Sequence, residues 1–156
     1  MPGRRVLSIA LIILGWTAVA ASKDIALVSH KANSVTTVTL AELVKMCKGQ
    51  INRWPDGKPL TFIIRDPSSP EMRLVLEKIY GMSKDEVAEL IVNANHGRAN
   101  HPAILVSASD SALVQTVEST PGAIGLVDVY SITGGIKVVR VGGKLPLEPG
   151  YVLHGN

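Results

Sequence analysis

The chain has 156 residues, 46% hydrophobic and 19% charged, which suits one domain and is too short for two ordinary ones. Aromatics make up only 4%, so small aliphatic residues carry an apolar content too high for disorder, and the 14 glycines lack the triplet period of collagen. The formal charge of +3 falls to 14 Lys+Arg against 13 Asp+Glu once Arg4 and Arg5 are set aside, and no basic run remains, so nothing in the charge pattern points to a nucleic-acid partner.

Taken in chain order, the first twenty residues read as an export leader. Arg4 and Arg5 form a positive start, Val6 to Trp16 an apolar stretch, and Ala18-Val19-Ala20 a small-residue cleavage pattern. The apolar run is shorter than the roughly 20 residues that cross a bilayer. The expectation is a signal peptide over 1–20, cut after Ala20. That leaves a periplasmic or secreted domain over 21–156 with no stable membrane anchor.

Ile25 to Ser29 reads as a buried strand. Thr39-Leu-Ala-Glu42 is a capping box opening a helix with Leu40, Leu43, Val44 and Cys47 on one face, closed at Gly49. Cys47 is the only cysteine, so no intramolecular disulfide can form, and its place on that face predicts a buried small hydrophobe. Trp54-Pro55-Asp56-Gly57 is a turn whose tryptophan is expected to lid the core, and Leu60 to Ile64 is a strand. Ser69 as N-cap and Pro70 at the first helical position predict a helix with Met72, Val75, Leu76, Ile79 and Tyr80 on its apolar face, ended by Gly81. On that helix Arg73 is spaced to pair with Glu77.

Ser83-Lys-Asp-Glu86 is a second capping box, followed by Val87, Leu90, Ile91 and Ala94 at helical spacing. Asn95 to Pro102 reads as an irregular polar stretch. Its His96 and His101 form a solvated loop rather than a metal site, because three or four convergent ligands are lacking. Ser107 or Ser109 caps a helix carrying Leu113, Val114 and Val117. Thr120-Pro121-Gly122 turns the chain into a strand over Ala123 to Val127, Ile136 to Val141 is the last strand, and the tail from Leu145 is expected to lie across the surface. Strands alternating with helices mean crossover connections: an α/β single-domain fold with a mixed, mostly parallel sheet flanked by helices. No nucleophile elbow, P-loop, dinucleotide fingerprint or metal-ligand spacing occurs, so neither a catalytic residue nor a cofactor is assigned.

Several segments together resemble one family. They are Thr39-Leu-Ala-Glu-Leu-Val-Lys-Met-Cys-Lys-Gly49, Trp54, Pro59-Leu60, Arg65 with Ser68-Ser69 before a helix, and Thr120-Pro-Gly-Ala-Ile-Gly125. In order and spacing the set is similar to the phosphate-binding periplasmic proteins of ABC transporters, over roughly Ile25 to Val127. The resemblance implies one lobe of a type 2 periplasmic binding protein, non-catalytic, with phosphate or another small oxyanion as ligand. By position it assigns Arg65, Ser68 and Ser69 to that ligand and brings Thr120 and Gly122 in as a neighbouring loop. A helix start, serine hydroxyls and an arginine fork are physically suited to an anion. Where the family has Ser-Gly-Thr, this chain has Ser68-Ser69-Pro70-Glu71. Pro70 removes an amide donor and Glu71 adds a negative charge, which leaves open a plain acidic first turn. The alternative function is a periplasmic interaction or adaptor domain that binds an envelope protein and has lost its small ligand.

Overall fold

The computed structural model describes residues 23–155; the leader and its cleavage pattern lie outside them. Among the described residues, six strands form one sheet in the order β2-β6-β1-β5-β3-β4. They are β1 (Ile25–His30), β2 (Thr37–Val38), β3 (Thr61–Arg65), β4 (Ile104–Ser107), β5 (Ala123–Asp128) and β6 (Ile136–Val141). Pairings β2–β6, β3–β4 and β3–β5 are parallel, whereas β1 is antiparallel to both β5 and β6. The sheet is therefore mixed and mostly parallel, as the alternation of elements predicts.

Period-2 alternation sorts the strand side chains into two cores. Ile25, Leu27, Phe62, Ile64, Ile124 and Leu126 face one side, and Ala26, Val28, Ile63, Ala123 and Val127 the other. Helices α1 (Leu40–Cys47), α2 (Met72–Val75) and α3 (Lys84–Asn95) cover the first face, and α4 (Asp110–Ser119) the second through Leu113, Val114 and Val117. Gly125 lets α4 come close, since a Cβ there would stand 2.6 Å from Ile63 O and 3.2 Å from Leu113 Cδ2.

Both capping boxes form, with Thr39 and Ser83 accepting from the amides of Glu42 and Glu86 while the glutamates accept in return. Cys47 is fully buried, and burial pushes its thiol far above the ordinary 9.0. Trp54 packs against the first core, as its turn predicts.

Three expectations are corrected, and strand β4 is an addition to them. Ser69 is not an N-cap and Pro70 is not the first helical residue: α2 begins at Met72 without a side-chain cap, and the Ser69 hydroxyl donates to Asp66 O at 2.7 Å. The helix is not α-helical to Gly81, because Leu76–Tyr80 is wound as a π-helix closed by Gly81 N–H to Leu76 O at 2.8 Å. Strand β4 lies beyond the irregular stretch that ends at Pro102, in a segment to which the sequence reading assigns no element. The tail is not a surface strap, since Tyr151 and Leu153 are buried in the first core.

Candidate functional site

Parallel strands β3, β4 and β5 deliver Arg65, Ser107 and Asp128 to one edge of the sheet, and open α/β sheets place ligands at such carboxyl ends. Three segments meet there: the loop Asp66 to Glu71, the start of α4, and the 3-10 turn Val129–Ser131. Ser109 caps α4, accepting from the amide of Ala112 at 3.1 Å, which fixes Asp110 in the first helical turn.

Arg65 lies at the centre of this edge, with its side chain 14% exposed. Its NH1 donates to Asp110 Oδ1 at 2.7 Å, and NH2 is 3.7 Å from Glu71 Oε2. Asp110 Oδ2 accepts from the Ser131 hydroxyl at 3.3 Å, so a single carboxylate joins the ends of β3 and β5 through the head of α4. Among the described residues, Arg65 Nε and Glu71 Oε2 are buried without a hydrogen-bond partner. The guanidinium is thus anchored on one side and has a spare donor on another.

Asp66 organises the adjoining loop. Its Oδ1 accepts from the Ser68 amide at 2.8 Å and the Ser68 hydroxyl at 2.6 Å, and these bonds hold its carboxyl below the usual 3.8. Beside the loop is an open cleft of about 710 Å³ whose walls include Ser68, Ser69, Arg73, Glu77 and Lys84. Arg73 and Glu77 both line it and, among the described residues, form no ion pair with each other. On the far flank Lys23 bridges to Asp128 at 3.2 Å and lies 5.4 Å from the centre of the Tyr130 ring, which is 74% exposed.

Thr120 and Gly122 stand elsewhere. Thr61 is opposite Ala123 in the parallel β3–β5 pair, so the Thr120 turn lies beside the start of β3, roughly 13 Å from Arg65 along the strand. The expectation that the two loops are neighbours is corrected by this register. Gly122 has structural partners: its amide donates to Asn33 Oδ1 at 3.0 Å, and its carbonyl accepts from Trp54 Nε1 at 3.0 Å. His96 and His101 are exposed on their loop.

Sequence reasoning brought Arg65, Ser68 and Ser69 to this edge and missed Asp110 and Ser131 as partners of Arg65. An acidic residue just after a serine N-cap is visible in the sequence. Its relation to Arg65 follows only once β4 is recognised and α4 is placed over the same edge.

A family model described as a PBP superfamily domain matches residues 15–149. The chain belongs to that superfamily. Its fold is similar to that of an ABC-type phosphate transport receptor from Vibrio cholerae, at 21% identity and a TM-score of 0.70 over 86% of this chain and 55% of that one. PstS from Borrelia burgdorferi gives 18% and 0.66 over 87% and 56%. A phosphate binding protein from Stenotrophomonas maltophilia gives 15% and 0.63 over 81% and 41%. This PBP-superfamily chain spans about half the length of these solved proteins, and the likeness to them is one of fold. No curated protein matches it in sequence.

Proposed function

We propose that this chain is a non-catalytic, exported binding domain of the phosphate ABC transporter substrate-binding type, mature from residue 21, that takes phosphate or a related small oxyanion weakly at Arg65, Ser68 and Ser69. The observation that carries the reading is Arg65 itself: braced by Asp110 and holding an unpartnered Nε donor at the carboxyl ends of three parallel strands. An anchored guanidinium loses little side-chain freedom on accepting an anion, and its fork suits a tetrahedral oxyanion. Asp110 and Glu71 offset its charge, which keeps affinity low. The serine hydroxyls reach a ligand only by exchanging their bonds to Asp66 for it. Thr120 and Gly122 take no part in this reading.

Glu71 Oε2 adds selectivity. An ionised carboxylate only accepts hydrogen bonds, so it repels sulfate but can accept the proton of monohydrogen phosphate. The test is the melting temperature against phosphate, sulfate and a chloride control. A ligand specific for the folded state stabilises by about 2.7 kcal/mol at a hundred times its Kd. Phosphate is expected to raise the melting temperature more than sulfate does. Arg65→Ala should abolish the shift, and Glu71→Gln should bring the sulfate response towards that of phosphate. A flat panel, or a phosphate shift that persists in Arg65→Ala, overturns the reading and leaves the adaptor alternative to be sought by crosslinking to envelope proteins.

A further inference from the structure

Among the described residues β4 is an edge strand, paired with β3 on one side and with no strand on the other. Phe62 N–H donates to Ala103 O at 2.9 Å, and Phe62 stands opposite Ile104. In a parallel ladder this turns the backbone groups of Ala103, Leu105 and Ser107 towards β3 and those of Ile104 and Val106 outwards. At Ile104 both outward groups are occupied by one side chain: the amide donates to Asn95 Oδ1 at 3.0 Å, and the carbonyl accepts from Asn95 Nδ2 at 2.7 Å. The Asn95 carboxamide, from the last residue of α3, thus stands in for one residue of a neighbouring strand. Among the described residues no side chain serves Val106 in this way.

Two exposed valines flank this edge, beside charged residues at the start of α3. Val106 is 45% and Val92 70% exposed, and both border a cleft of about 380 Å³. The opposite edge strand, β2, has two residues and is too short to template another strand.

We infer that Asn95 is a built-in stop against strand addition at β4, and that the strand it excludes is β4 of a second copy of this chain. Antiparallel pairing about a two-fold axis sets Ile104 of each copy opposite Val106 of the other. Both residues present their backbone outwards, so each such pair exchanges two hydrogen bonds. The same pairing covers the exposed Val106 and Val92 of both molecules. Lys84 and Asp85, of opposite sign, line the same cleft and give each copy a complementary charge to meet. With Asn95 occupying Ile104, a two-fold pairing centred on Val106 joins it to Val106 of the second copy and forms half as many bonds. The device matches a general one, in which natural sheets blunt their edges against self-association.

The test is sedimentation velocity on the full chain as wild type, Asn95→Ala and Asn95→Ala with Val106→Pro. Asn95→Ala should tighten self-association at least tenfold. Adding Val106→Pro should return it to the wild-type level, because that proline removes an amide pointing away from β3 and so leaves the β3 ladder intact. Unchanged association in Asn95→Ala, or tightened association that the proline leaves in place, overturns the inference. Amide exchange in the wild type tests it without any variant: Ile104 should be protected and Val106 should exchange freely, whereas equal rates at the two positions overturn it.

Discussion

At Gly122 the backbone has φ +88°, and a Cβ would stand 2.4 Å from Pro59 O. Two constraints coincide at one residue, a left-handed backbone and a contact with no room for a side chain. Gly122→Ala is therefore expected to destabilise the fold by about 3 kcal/mol in denaturant unfolding, at the upper end of what left-handed strain alone costs. A loss below 1 kcal/mol would show that the β3 end moves aside. The sequence shows that a turn here needs glycine, but its use in seating Trp54, Asn33 and the start of β3 depends on residues as far as 89 positions away. Arg65 gives the same lesson. Its residue type and its place after an apolar run are legible, whereas the Asp110 that braces it lies 45 positions along the chain.

Among the elements, what is encoded within a few residues forms as read. Each capping box satisfies its own first turn with groups three residues apart, so Thr39 with Glu42 and Ser83 with Glu86 need no tertiary help. The entry to α2 departs because the loop before it closes on Asp66: the Ser69 hydroxyl donates to Asp66 O, the Asp66 carboxylate ties down Ser68, and the helix begins only at Met72. Those Ser68 bonds set a pH dependence. Asp66 has a folded pKa below its ordinary 3.8, so it contributes order to the loop above that value and loses it as pH falls through the lowered one. The Ser68 amide resonance should stay constant from neutral pH down to about 4 and move only below 3.8. A midpoint at or above 3.8 would remove Asp66 as the organiser of the loop. Strand β4 escaped the sequence because it has four residues, and its hydrogen-bond partners come from β3 and from the Asn95 side chain.

On the scale of the whole molecule, the two ends of the described chain are stitched together. The buried Asp24 carboxylate accepts from the Leu147 amide at 2.7 Å and the Gly155 amide at 3.2 Å, and lies 2.7 Å from His154 Nδ1. Ile25 N–H donates to Leu153 O at 3.0 Å, and the Tyr151 hydroxyl donates to Ile25 O at 2.7 Å. Leu153 is fully buried, so Leu153→Ala should cost about 3 kcal/mol in denaturant unfolding through lost transfer energy and the cavity left behind. A tail lying on the surface would instead give a change within about 0.5 kcal/mol. By itself the sequence determined the alternating α/β order, the apolar runs of most of the strands, the helix starts at Thr39 and Ser83, and the resemblance to phosphate-binding proteins. These rest on periodicity and on contacts a few residues long. Tertiary structure alone decided the strand order, the antiparallel β1 in the middle of the sheet, the tail packed into the core, the separation of Gly122 from Arg65, and the carboxylates around that arginine. Each of those depends on pairings between distant segments, which the local pattern of residues does not encode.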